Sequence, residues 1–568
     1  MEQEAFRPGG RNLTVILHPK VPKLPNPTQR PARPSALPII ILPAGPAGGT
    51  FQNILCWGHI RATKTTAILN NEAIVIGAGF AGLAAAANLA QAGYDVTILE
   101  KNRVAGGRAR KFEAEGFLFD MGPSWYWMPD VFEHFFARFG KKPSDYYELV
   151  RLDPSYRVYF GKDDIMDVPA RMEAIYAMFE SYEPGSSAKL KQFLEEAAYK
   201  YKVGMEEFVH KPGHTILEFA DLRVFKSLFR LQMFSSISTH IHKLFKNKKL
   251  IELLEFPVLF LGATPAKTPA LYSLMNYADM TLGTWYPLGG MHRVIEGMVQ
   301  LARELGVRIE LDQEVREIEI TDGRATAVVT DSGRYAADVV IAGADYHHVE
   351  QHLLPERYRR YDEAYWDKRT MAPSSLLFYL GVNKRLNHLE HHNLFFDEDF
   401  TRHAHEIYED PQWPSKPLFY ACLPSLTDDS VAPPGCENLF LLVPLAHSLD
   451  DTEERREHYY NVVMDRLEAL TGQSVREHVV YKRSFAHRDF EADYHAYKGN
   501  AYGLANTLLQ TAFLKPKMRS NKVPNLFYTG QLTTPGPGMP PSLISGQVVA
   551  AEVAKFFQAN PKRHEATV

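Results

Sequence analysis

Residues 73 to 100, AIVIGAGFAGLAAAANLAQAGYDVTILE, constrain the fold more than any other part of the chain. The apolar, β-branched run from Ala73 to Gly77 predicts a buried parallel strand. Gly77, Gly79 and Gly82 follow in GxGxxG spacing, and an alanine-rich helix is predicted from Phe80 to Ala92. Each glycine meets a steric demand. Gly77 permits the tight turn, Gly79 lets the backbone approach a pyrophosphate at the positive helix end, and Gly82 lets helix and strand pack closely. YDVTIL predicts the next strand, closed by Glu100, a carboxylate placed to accept the ribose hydroxyls of an adenosine. That acid favours a ribose without a 2′-phosphate, although Lys101 beside it weakens the exclusion. A lone GxGxxG is often only a turn, but strand, helix, second strand and acid at these spacings predict a dinucleotide site.

The next residues bear on which dinucleotide. In VAGGRAR, Gly106 and Gly107 bring backbone close to a ligand, and Arg108 offers a forked donor to phosphate. EGFLFDMGPSWYW then reads as a strand turning at Gly122 and Pro123. GxGxxG, a terminal acid and GGR together are the combination of flavoprotein oxidases and desaturases, so FAD is the expected cofactor. There is no second GxGxxG between strand and helix and no CxxC or CxxxxC pair, which argues against a pyridine-nucleotide disulfide reductase. Electrons are therefore expected to leave for another acceptor, oxygen or a quinone.

Later segments continue the pattern. A glycine turn and an amphipathic helix from about Met291 to Leu305 precede strands within 307–320, which carry Val315. YAADVVIAGADYHHVEQHLL adds a further strand and turn. NLFYTGQLTTPGPGMPPSLISGQVVAAEVAKFF gives strand, glycine–proline loop and helix, with Gly530 after the strand and a helix start at Pro541–Ser542 whose amides face a phosphate or flavin oxygen. The candidate cofactor residues are thus Gly77, Gly79, Gly82, Glu100, Gly106, Gly107, Arg108, Val315 and Gly530.

Size and composition set outer limits. A chain of 568 residues predicts several domains, and a net charge of -4 gives no support to nucleic-acid binding. Cys56, Cys422 and Cys436 are too scattered for a disulfide framework and fit a reducing compartment. No apolar run is long enough to span a bilayer. Residues 1–70 are proline-dense and carry no acid between Glu4 and Glu72, which predicts a disordered tail. A targeting leader is the other reading, although its prolines oppose the amphipathic helix of a transit peptide.

With these residues in view, the chain resembles the phytoene desaturase family of FAD-dependent carotenoid desaturases and isomerases, over about residues 72 to 558. The resemblance rests on VIGAGFAGLAAAANLAQAGYDVTILEKNRVAGGRA, FDMGPSWYWMPD, EFPVLFLGATPAKTPALYSLMNYADMTLGTWYPLGGMHRVIEGM, LTDDSVAPPGCENLFLLVPLAH and NLFYTGQLTTPGPGMPPSLISGQ. The terminal loop departs from the family, which more often carries an alanine–glycine–threonine run there. The resemblance implies an α/β fold: a Rossmann-like FAD domain assembled from separated segments (72–165, 280–350 and 510–560), with an inserted α+β substrate domain (166–279 and 351–509). It implies an FAD-dependent oxidoreductase that desaturates phytoene towards lycopene-type products by successive hydride transfers to flavin. A redox-neutral carotenoid isomerase and a dehydrosqualene-type desaturase are the neighbouring readings. An amine oxidase and a non-catalytic carotenoid carrier are the alternatives of other classes.

A substrate of this kind is a long apolar polyene that must be drawn from lipid into an apolar tunnel. EFPVLFLGATPAKTPALYSLMNY supplies apolar and aromatic residues for its wall. Residues 222–250 carry Arg223, Lys226, Arg230, Lys243, Lys246, Lys248 and Lys249, no acid, and interleaved apolar residues including Phe225, Leu228 and Phe229. They read either as an interfacial helix on an anionic membrane or as a core-facing helix with a solvated basic side, and the insoluble substrate favours the membrane. The expected location is the cytoplasm, peripherally on the membrane. Trp285, Tyr286 and Met539 are placed near the flavin face, either to ease a cation or only to pack, and no catalytic side chain is assigned. The histidine-rich stretch with His388, His391, His392, His403 and His405 reads as a polar loop rather than a metal site, because no cysteine or carboxylate completes a ligand set at recognised spacing.

Overall fold

The structure is a computed structural model, and it describes residues 71–215, 218, 235–507 and 510–560. The expectation for residues 1–70, and the membrane reading of Arg223, Lys226 and Arg230, lie outside the described residues.

The glycine fingerprint sits at the centre of a five-stranded parallel sheet. Its order is Leu526–Tyr528, Val339–Ala342, Glu72–Ile76, Asp95–Leu99 and Arg308–Glu310. The first strand in the chain is central, with its successors running outward on one side and later segments on the other. Ligands in open α/β sheets bind where strand order reverses in this way, beyond the carboxyl ends of the strands. Glu72–Ile76 and Asp95–Leu99 each expose their first residue and bury the next four, as strands covered on both faces must. The predicted helix is Phe80–Gln91, buried along Phe80 to Leu89. Gly82 is the residue that lets it lie down, since a Cβ there would stand 2.0 Å from the Gly77 carbonyl oxygen. The C-terminal helix, Met539–Ala559, crosses the same helix equally closely, because a Cβ on Gly546 would meet the Ala81 carbonyl at 2.3 Å. The amphipathic helix is His292–Glu304, and the amides of Met291 and His292 donate to the Asp120 carboxylate at 2.7 and 2.9 Å.

A second, seven-stranded sheet runs Val479–Phe485, Ser374–Val382, Glu437–Leu445, Phe419–Cys422, His392–Phe395, Tyr156–Gly161, Asp164–Val168. It is antiparallel except where His392–Phe395 meets Tyr156–Gly161. Alternation divides its side chains. Phe378, Leu380, Leu441 and Val443 pack under the helix Glu453–Thr471, against Tyr460, Val463 and Leu467. Leu377, Tyr379, Phe440 and Leu442 turn to the other face, into the main core with the nucleotide part. The segment boundary drawn at 165/166 falls inside the hairpin of Tyr156–Gly161 with Asp164–Val168, so this sheet already begins at Tyr156.

In the basic stretch, the helices Ile237–Leu244 and Lys248–Glu255 bury Ile237, Ile241, Leu250, Leu253 and Leu254 in the core. Lys243, Lys246 and Lys248 are exposed, while Lys249 lies half-buried between the Tyr182 and Phe160 rings with Asp164 at 2.5 Å. The described part therefore buries its apolar side in the core and leaves a row of lysines exposed. Among the described residues no helix is long and apolar enough to cross a membrane.

Candidate functional site

A large cavity opens at the carboxyl ends of the parallel strands, where Ile76–Gly77, Leu99–Glu100, Gly343–Asp345 and Thr529–Gly530 all line it. Gly77, Gly79, Glu100, Gly106, Gly107, Arg108, Val315 and Gly530 share this one cavity. Gly82 is the exception, being spent on helix–strand packing behind it.

Glu100 organises the near end. Its Oε2 accepts the Ala78 amide at 2.7 Å, and its Oε1 accepts the Asn102 amide at 2.9 Å and side-chain Nδ2 at 2.8 Å. The two glycine turns are tied directly, because the Gly106 amide donates to the Ala78 carbonyl at 2.8 Å. Gly79 itself has nothing within 4 Å of a notional Cβ, so the space in front of it is open. Lys101 also lines the cavity, its Nζ donating to the Ala492 carbonyl at 2.6 Å. Over this end the imidazoles of His348 and His495 stack at 3.8 Å and 3°. Burial first, then neighbouring cations including His495, pulls His348 down to about 3, so the ring is neutral at physiological pH.

Arg108 lines the same wall. Its guanidinium lies 5.0 Å from the Tyr494 ring centroid and donates from Nη2 to the Asn500 carbonyl at 3.3 Å, while Nε, buried, has no partner among the described residues. Burial lowers its pKa against the pull of Asp345, and burial raises that of Asp345. At the far end the C-terminal helix begins at Met539, not at Pro541–Ser542. Pro540 and Pro541 have no N–H and the Ser542 amide is bonded to the Gly538 carbonyl at 3.0 Å, so the amide donors expected at that start are absent. Met539 lines the cavity; Trp285 and Tyr286 do not. Trp285 donates to the Leu282 carbonyl at 2.9 Å, and Tyr286 faces a smaller cavity beside Ser124, His391 and Cys422.

Sequence patterning missed the cavity wall formed by Asp493, Tyr494 and His495, the last residues of the helix His487–Tyr494 and its C-cap, in the segment assigned to substrate. A third cavity, lined by Phe256, Leu259, Leu394, Phe396, Ile407 and Leu418 among others, is apolar and has no carboxylate in its lining. Leu442 and Tyr502 line both it and the large cavity. Phe256 and Leu259 belong to the stretch read as tunnel wall. The histidine stretch is not a loop throughout: His392–Phe395 is a strand inside the seven-stranded sheet, His391, His392 and His403 are buried, and only His388 and His405 are exposed.

The family model described as flavin containing amine oxidoreductase matches residues 80–554. The chain belongs to that family. Within it the chain groups with carotenoid desaturases. It is 44% identical over 480 residues to the carotenoid 3,4-desaturase of Haloarcula japonica, covering 84% of this chain and 97% of the relative. It is 31% identical over 490 residues to the zeta-carotene-forming phytoene desaturase of Myxococcus xanthus, covering 86% and 94%. An oxidoreductase from Methanosarcina mazei shares the fold at a TM-score of 0.58 and 16% identity, over 84% of this chain and all of that one.

As a member of this family the protein is an FAD-dependent oxidoreductase, and its cavity suits that cofactor. The open space before Gly79, the first-turn amides of the Phe80–Gln91 helix and the orphaned Arg108 Nε offer positive potential for a pyrophosphate. The Glu100 carboxylate stands at the strand end in the same cavity.

Proposed function

We propose that the protein desaturates a carotenoid precursor, with phytoene carried towards lycopene-type products as the specific reaction. The observation that carries this reading is the meeting of the large cavity and the carboxylate-free apolar one at Leu442 and Tyr502. Such a junction brings a hydrocarbon chain, not an ammonium group, up to a flavin, which favours a polyene over an amine.

Bound FAD supplies a hydride acceptor for carbons that have no acidic hydrogen for a base to take. The chain's own residues bind, orient and exclude water. Gly77, Gly79 and the first turn of the following helix receive the pyrophosphate, with Arg108 as a forked donor and Gly106 and Gly107 closing on it. Three of the roughly four acceptor sites of Glu100 are already filled by Ala78 and Asn102, so it holds a ribose hydroxyl with what remains. Val315, Gly530 and Met539 line the remainder of the cofactor cavity. Phe256, Leu259, Leu394, Phe396 and Ile407 hold the polyene straight and dry against it. The acceptor that reoxidises the system is oxygen or a quinone. Loading occurs from an anionic membrane surface contacted by the exposed Lys243, Lys246 and Lys248 together with Arg223, Lys226 and Arg230; co-sedimentation with anionic liposomes that survives neutralising these bases would refute that contact.

The test is to supply phytoene in liposomes to the purified flavoprotein with oxygen or a quinone. The reading expects a pigment with a longer conjugated chromophore and consumption of acceptor. Phytoene recovered unchanged, or isomerised without acceptor consumption, contradicts it.

A further inference from the structure

His392 stands directly opposite Cys422 across the antiparallel pair of His392–Phe395 with Phe419–Cys422, and His391 adjoins them. One ring nitrogen of each histidine and Cys422 Sγ lie within 4.8 Å of one another, and all three residues are buried. From this we infer a metal site: His391, His392 and Cys422 bind one late first-row transition ion of the Zn2+ class, clipping together the ends of the two strands. This inference goes beyond the desaturase reading and does not depend on it.

The hydrogen bonding prepares the rings for that task. Nδ1 of His391 is bonded to Thr427 Oγ1 at 2.7 Å, and Nδ1 of His392 to the Tyr420 hydroxyl at 2.6 Å. Tyr420 in turn donates to Ser124 Oγ at 2.9 Å, so His392 donates from Nδ1 and carries its lone pair on Nε2. Nε2 of both histidines is buried without a partner among the described residues. Two neighbouring buried nitrogens left bare call for an explanation, and a bound ion supplies one for both. The ring planes are held as well: His392 stacks on Trp125 at 4.1 Å and 12°, and His391 lies 4.6 Å from the Tyr286 ring.

On binding, the Cys422 S–H bond breaks, a metal–sulfur bond forms and the proton passes to solvent, with no change of oxidation state. Two imidazoles and a thiolate suit zinc, whose bonds of about 2.0 Å to nitrogen and 2.3 Å to sulfur call for ligand atoms roughly 3.3–3.5 Å apart, inside the 4.8 Å within which the three atoms already lie. The fourth position belongs to a water in the small cavity that His391 and Cys422 share with Ser124, Tyr286 and Met291.

The experiment uses the flavin-loaded protein. After dialysis against a chelator, Co2+ is titrated in and followed in the visible region to the red of flavin absorption, with bound metal counted by mass spectrometry. The site predicts one Co2+ per chain, intense bands of tetrahedral cobalt, their displacement by Zn2+ and a rise in melting temperature. H405A, on an exposed helix position away from the cluster, retains these bands. C422S shifts them or loses them, and H392A binds at least tenfold more weakly. Wild-type protein that shows no cobalt bands, or bands indifferent to both C422S and H392A, overturns the site; since the wild type decides the first point, a variant that fails to fold does not obscure the result.

Discussion

Leu377 and Leu442 stand opposite each other across the antiparallel pair of Ser374–Val382 with Glu437–Leu445, and both side chains line the large cavity. Leu442 also lines the apolar cavity beyond, so in the proposed reaction it forms the threshold between cofactor and hydrocarbon. Replacing Leu442 by Trp narrows that threshold. Overpacking there costs about 1–3 kcal/mol of stability, and polyene turnover falls by at least about tenfold while bound flavin is retained. Flavin content from the visible spectrum and product formation, measured on the same sample, check this.

Gly79 and Gly82 separate two roles of one motif. A methyl group on Gly82 would stand 2.0 Å from the Gly77 carbonyl, whereas one on Gly79 meets nothing within 4 Å. Gly82→Ala therefore lowers the melting temperature sharply or gives insoluble protein. Gly79→Ala leaves stability of the apoprotein unchanged or raises it by about 0.4–1 kcal/mol, yet fills the space proposed for the pyrophosphate. The expected outcome is a well-folded, colourless protein, read by calorimetry and flavin content.

Glu100 supports the glycine turn as well as lining the cavity proposed for the cofactor. Its removal in Glu100→Ala costs hydrogen bonds from Ala78 and Asn102 besides any to ribose. Charge-assisted bonds of this kind contribute about 1.5–3 kcal/mol, so FAD affinity falls by roughly 10- to 100-fold. Glu100→Gln, which keeps an acceptor oxygen, recovers part of the loss. Equilibrium dialysis with FAD measures both.

Asp279 gives stability a pH dependence. It is buried, its Oδ2 accepts the Tyr156 hydroxyl at 2.8 Å, and burial raises its pKa to about 7 from an ordinary value of 3.8. The folded state thus holds a proton that the unfolded chain releases. Its contribution is fully present below about pH 4 and is lost progressively up to about pH 7, a span worth about 4 kcal/mol. Asp279→Asn removes that slope, so the difference in unfolding free energy between variant and wild type shifts in favour of the variant as pH rises from 4 to 8. Denaturant titrations at intervals across that range give the difference directly.

What the sequence made legible was local. The glycine spacing, Glu100 at the strand end and the His292–Glu304 helix follow from short-range periodicity and sterics, and the structure places them within a residue or two of expectation. Relations formed across the chain were not legible. Tyr494 reaches Arg108 only because the helix His487–Tyr494 folds back on the second glycine turn. Cys422 meets His392 through strand register, which no spacing in the histidine stretch encodes. The terminal helix start misled for another reason: a proline pair reads as a helix beginning, but it also deletes the amides that a ligand would need.

The central claim is that hydride leaves a polyene for the flavin seated behind Leu442. It is tested most directly by mixing the oxidised flavoprotein, without oxygen or quinone, with phytoene in liposomes and following both chromophores through one turnover. The account predicts that oxidised-flavin absorption is lost at the same rate, and in the same amount, as the lengthened polyene chromophore grows. A longer chromophore forming while the flavin spectrum stays unchanged, or no change in either, would contradict it.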